Sequence, residues 1–179
     1  TAAQFGAANS FFIFSLAPVF ALLWTRLGKR GLEPSTPVKF SLGIAQAGLG
    51  FGALVYGAQF PNEAGMVSAW WLICAYLLHT TGELCLSPVG LSAVTKLAVP
   101  SVVGVMMGTW FLASAYSSYV AAQIATIAAQ PASATVADSA DALAGYTELF
   151  SQLLVIGLAG GAVLLILSPL LKKLMHGVR

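Results

Sequence analysis

Three side chains able to act as base, acid and hydroxyl donor, His79, Glu83 and Ser87, recur at four-residue steps within an apolar run from Met66 to Lys96. Such steps place all three on one face of a helix. The run exceeds the about 20 apolar residues that cross a bilayer, and Glu83 stands near its middle. Its carboxyl is therefore expected near the membrane midplane. A charged group there costs about 3 kcal/mol on insertion scales, and such groups face a bundle interior or a watery cavity. Pro88 lacks a backbone N–H and crowds the preceding turn, which predicts a kink beside the acid. Midplane acid, flanking polar groups and helix break together suggest a transported-substrate or proton site. The alternative is a polar staple satisfied by a neighbouring helix.

Two further residues could meet a solute. Asn9 opens the first apolar stretch and offers both donor and acceptor to an amide or amine, or else caps or bridges helices. Trp24, Trp70 and Trp71 suit interfacial anchoring, whereas Trp110 lies deeper in its stretch, as a pocket wall would. No catalytic constellation emerges: His79 and His176 are far apart, and no metal motif or nucleophile elbow is present. The chain is expected not to be an enzyme. A carboxyl is favoured as the neutral acid when dry and as the carboxylate beside a cation. Glu83 could thus exchange a proton, or an arginine partner, for a substrate ammonium.

These groups need elements to hold them. The chain is 58% hydrophobic and 8% charged, against roughly 25% charged in soluble domains. That is too few charges to cover a soluble surface, so the chain reads as an integral membrane protein. Its net charge of +2 is too small to imply a nucleic-acid partner. Five apolar stretches, approximately 3–27, 36–60, 66–96, 100–129 and 144–175, are long enough to span and too long for membrane strands. Only helices satisfy their own backbone in lipid without closing a barrel. The expected fold class is an all-α polytopic membrane protein of five transmembrane helices, forming one bundle over residues 1–179. Gly48 with Gly52, Gly104 with Gly108, and Gly157 with Gly161 predict close helix approach. The segment 129–144, rich in Ala, Ser and Asp without hydrophobic period, reads as an extracellular loop. Cys74 and Cys85, eleven residues apart on one helix, cannot pair with each other.

Charge sets the orientation. Arg26, Lys29, Arg30 and Lys39 follow the first stretch, Lys96 the third, and Lys172, Lys173 and Arg179 the fifth. The remaining connections carry Glu63, Asp138 and Asp141 instead. Positive residues mark the cytoplasmic side, so the chain is expected to start outside and end inside. A protein beginning in the cytoplasm would then need an odd number of earlier spans, and seven would make twelve. The opening on Thr1, with no initiator Met, fits a fragment whose amino-terminal portion is absent. Short loops fit a bacterial inner membrane.

Gly82-Glu83-Leu84-Cys85-Leu86-Ser87-Pro88-Val89-Gly90-Leu91-Ser92, continuing Val94-Thr95-Lys96-Leu97-Ala98, resembles the tenth helix of proton-dependent oligopeptide transporters of the major facilitator superfamily. Trp24-Thr25-Arg26-Leu27-Gly28-Lys29-Arg30, followed by Glu33-Pro34-Ser35-Thr36-Pro37-Val38-Lys39-Phe40, resembles that family's link between helices eight and nine. The resemblance covers essentially the whole chain, as helices eight to twelve, most of the carboxy-terminal six-helix bundle. It implies symport of di- and tripeptides by alternating access, with protons as coupling ion and no cofactor besides. The implied partners are peptides, protons, the lipid bilayer and a missing amino-terminal half.

In that family the tenth-helix glutamate lies in the central cavity near the peptide amino group, which implies that role, and a part in proton coupling, for Glu83. The eighth-helix asparagine, similar in role, corresponds to Asn9, although Ser10 stands where the family usually has proline. Ser87 would line the same pocket, and Trp110 would match the eleventh-helix tryptophan at its wall. The ExxER motif, first-helix arginine and fourth-helix lysine of the family belong to the absent half. A zwitterionic peptide between opposite poles makes electrostatic sense. Two alternatives stand beside this reading: a related carrier of nitrate or another solute, and a channel or structural membrane subunit of five helices.

Overall fold

Long apolar stretches in lipid must close their hydrogen bonds internally, and the helix does so within a single segment. The computed structural model, which describes residues 2–62, 66–128 and 136–175, contains five: α1 (Ala2–Lys29), α2 (Thr36–Gly57), α3 (Ala69–Leu97), α4 (Val103–Ala128) and α5 (Val136–Leu174). No strand occurs among the described residues, where a single isolated bridge pairs Pro61 with Val67. The chain is all-α, as its apolar pattern predicts.

Four of the five helices contain segments of clear spanning character, and one helix begins earlier than the sequence reading places it. The segments 7–29, 36–57, 69–97 and 143–174, in α1, α2, α3 and α5, are long and apolar enough to cross a membrane. Helix α4 has the length, at 26 residues, but Ser114, Ser117, Ser118, Tyr116, Tyr119 and Gln123 dilute its hydropathy. Helix α5 begins at Val136, inside the segment read as a loop. Alanine is the strongest helix former and recurs there at 137, 140, 142 and 144, which favours a helix without a hydrophobic period to announce it.

The turn after α1 is closed by glycine. Gly31 has φ of +69°, and the N–H groups of Gly31 and Leu32 bond to the carbonyls of Gly28 and Leu27. This is the Schellman arrangement, which needs a residue tolerant of left-handed backbone. Pro37 then sits in the first turn of α2, where its missing N–H costs nothing. Helix α3 is capped by Ser68, whose hydroxyl accepts from the Trp70 N–H at 3.4 Å, and runs through Pro88 to Leu97.

Helix α2 packs along both α3 and α5, whereas α1 leans mainly on α3 and α4 touches α3 and α5 lightly. Glycine makes the tight seams possible. A Cβ at Gly157 would stand 2.6 Å from Gly48 Cα, one at Gly161 3.0 Å from Ala45 Cβ, and one at Gly82 2.7 Å from Gly43 O. Ser41 Oγ adds a bond to Gly161 O at 2.7 Å. The glycine pairs of α2 and α5 thus lie in contacts, as their spacing predicts. Gly104 and Gly108 differ, with nothing within 4 Å of a built Cβ among the described residues. Ala75, Leu84 and Cys85 are buried, while Phe14, Leu112 and Ile166 stand exposed. Cys74 and Cys85 are free.

Candidate functional site

Glu83 is the middle residue of α3. Its neighbours Thr80, Gly82 and Leu84 are buried in helix contacts, yet Glu83 itself is exposed. At 100° per residue it falls on the arc between Thr80, which meets α1, and His79, which meets α2. Ser87, half-buried, lies one turn further along. Gly90 lies a turn beyond that, on the same stripe, and the Trp110 ring of α4 covers it. Without a side chain at Gly90 the indole can rest directly on the α3 backbone.

Asn9 reaches this stripe from α1. Thr80 Oγ1 donates to Asn9 Oδ1 at 2.6 Å, and Thr80 has no solvent exposure. Thr80 and Glu83 are three residues apart, so the amide of Asn9 meets α3 one turn from the acid. Glu83 makes no hydrogen bond or ion pair among the described residues, which leaves its carboxylate available to a ligand. Trp110 stands edge-on to Phe40 at 6.4 Å between ring centres. With Phe40, Ala93 and Met106 it lines an apolar cavity of about 250 Å³. Neither Asn9 nor Glu83 borders that cavity. Of the sequence candidates, Glu83 and Ser87 share a stripe, Asn9 flanks it, and Trp110 closes its lower end.

His79 takes the commoner place of a histidine on a helix face, packed against a neighbour rather than sharing a proton with Glu83. Four-residue spacing puts it on the side of Glu83, but its Nε2 lies 3.1 Å from Ala47 O and its ring 4.7 Å from that of Phe51. Gly50 makes room for it. It is a packed histidine in the α2–α3 seam. The larger omission of the sequence reading is Lys39, counted there among the loop cations. Lys39 is 5% exposed, pairs with Glu33 at 2.5 Å, and stands 4.7 Å above the Trp24 ring. Trp24, expected at an interface, thus helps form a cation site beside a cavity of about 200 Å³ that Thr36, Ser92 and Lys96 also line. The available signal was Lys39 lying two residues after Pro37, within the first turn of the helix.

With this geometry in place, known proteins provide a frame. The family model described as PTR2, POT family, matches residues 1–145. The uncharacterized transporter YclF of Bacillus subtilis is 44% identical over 174 residues, covering 97% of this chain and 32% of its own length. Dipeptide and tripeptide permease B of Aliivibrio fischeri is 37% identical over 170 residues, covering 94% of the chain and 34% of the permease. The chain therefore spans about a third of the length of these relatives. Among solved structures, a mutant of a peptide transporter POT in complex with alafosfalin superposes with a TM-score of 0.72 at 35% identity. That match covers 95% of this chain and 32% of the transporter. With its apolar helices and these matches, the chain is part of a multi-pass membrane protein and belongs to the POT family of transporters.

Proposed function

We propose that this chain forms helices eight to twelve of a proton-coupled symporter of di- and tripeptides, and supplies the half that binds the peptide amino terminus. The observation that carries the reading is the α3 stripe: an exposed, unengaged carboxylate at mid-helix, flanked by the Asn9 amide and Ser87. The relatives named as dipeptide and tripeptide permeases supply the substrate class. Glu83 receives the peptide ammonium as a carboxylate. When the peptide leaves, a cationic side chain of the complementary bundle takes the place of that ammonium on Glu83, and the proton that crosses in the same direction as the peptide is carried by a separate group, whose release is coupled to the re-forming of that ion pair. No cofactor takes part. The amino terminus of the chain faces outward and its carboxy terminus the cytoplasm of a bacterial inner membrane, by the placement of its Lys and Arg.

The test is uptake by the complete transporter in proteoliposomes. Glu83→Gln is expected to abolish proton-driven accumulation of di-alanine and to weaken its binding at least tenfold, about 1.4 kcal/mol. Full accumulation and wild-type affinity in that variant would remove Glu83 from the mechanism. Competition by nitrate but not by di-alanine would instead make the protein a carrier of another solute.

A further inference from the structure

Helix α1 packs mainly against α3 and meets α2 where Lys39 lies over Trp24, and the seam between α1 and α3 contains one polar pair of unusual placement. Thr80 has no solvent exposure, so water does not compete for its hydroxyl. Its Oγ1 stands 2.6 Å from Asn9 Oδ1 and 2.8 Å from Tyr76 O. A threonine hydroxyl carries one proton, and the shorter contact directs it to Asn9. A carboxamide has two unlike ends. With Oδ1 held inward, the end left for a ligand is Nδ2, which carries two N–H donors and has no partner among the described residues.

We propose that Thr80 is a positioning residue that makes Asn9 a hydrogen-bond donor, so that Asn9 reads the first carbonyl oxygen of a bound peptide while Glu83 takes the adjacent ammonium. This rests on the peptide-site reading above. The two ligand groups are separated by one carbon in any peptide, and their receptors flank adjacent turns of α3. The reversed amide would donate to Thr80 and turn its oxygen outward, which suits an ammonium instead. The two orientations therefore select different atoms of the substrate, and Thr80 is the residue that chooses between them.

The probes are glycyl-glycine and 5-aminopentanoic acid, which keeps both charged ends at the same spacing but has methylenes in place of the peptide group. Each competes against labelled di-alanine for uptake by the complete transporter. Thr80→Val is expected to weaken glycyl-glycine roughly three- to tenfold, the weight of one hydrogen bond, with the maximal rate unchanged. It should leave 5-aminopentanoic acid within about twofold. Thr80→Ser, which keeps the hydroxyl, should restore wild-type behaviour, and Asn9→Ala with Thr80→Val should be no worse than Asn9→Ala alone. Equal loss for both probes would make Thr80 a mere docking contact; greater loss for 5-aminopentanoic acid would establish the reversed amide; no loss at all would also overturn the proposal. If Glu83→Gln weakens both probes while Asn9→Ala and Thr80→Val do not, the peptide site stands and this inference alone fails. If Glu83→Gln and Asn9→Ala are both silent, the site itself is elsewhere and the inference falls with it. Should the valine variant not reach the membrane, Thr80→Cys, a weak donor of similar size, carries the same comparison.

Discussion

Lys39 occupies the first turn of α2, where the helix dipole disfavours a cation, and it is nearly enclosed. Glu33 and the Trp24 ring are what make that position tolerable. Removing one member of a buried pair leaves an uncompensated charge, whereas removing both need not destabilise. Glu33→Gln should therefore lower stability by about 1–3 kcal/mol, less than for a fully buried pair because Glu33 is partly exposed. Glu33→Gln with Lys39→Met should return to within about 1 kcal/mol of the parent. Thermal unfolding in detergent checks both, and a double variant less stable than the single one would show that the pair is not the relevant unit. Residue types alone drew attention to Glu83, because an acid in an apolar run is conspicuous. They could not single out Lys39 or Thr80, since a lysine near a loop and a threonine in a helix are ordinary until burial and partner are known.

At the scale of helices, the seam between α2 and α5 is governed by glycine. A methyl group at Gly157 would press on the backbone of Gly48, which cannot yield as a side-chain tip would, whereas one at Gly160 would meet Ile44 Cγ2 at an ordinary 3.6 Å. Gly157→Ala is expected to cost about 1–3 kcal/mol, the range for overpacked contacts. Gly160→Ala should change stability by no more than about 0.5 kcal/mol, or raise it slightly through helix propensity. Unfolding midpoints of the two variants decide this, and equal midpoints would sink it. Small-xxx-small spacing was legible in the chain, but it marked Gly104 and Gly108 just as strongly. Spacing says that a helix has a smooth face. Which helix lies against that face depends on the whole arrangement.

At the scale of the molecule, the Lys and Arg distribution makes a prediction about sidedness. In a background with Cys74 and Cys85 replaced by serine, Arg30→Cys should react with an impermeant maleimide only from the cytoplasmic side, and Asn62→Cys only from outside. Labelling of both from one side would contradict the orientation proposed for the chain. A related expectation concerns α4, which carries a run of hydroxyls and tyrosines and, unlike the other four helices, no segment both long and apolar enough to cross a membrane among the described residues. Such a helix is suited to a protein or aqueous neighbour on one side rather than lipid all around.

The chain by itself determined that its elements are helices, roughly where four of them begin and end, that it is a membrane protein, and which acid stands at the centre of a span. Hydropathy and the need to close backbone hydrogen bonds in lipid are properties of single segments, so they can be read one segment at a time. The early start of α5 escaped because the stretch from 136 carries no hydrophobic period to mark it as an element. Only the tertiary structure decided that His79 belongs to a packed seam, that Lys39 is enclosed with Glu33 and Trp24, and that Asn9 meets Thr80 beside Glu83. Each of those facts depends on which face of one helix meets which face of another, and residues up to 71 positions apart in the chain cannot announce their meeting in either segment alone.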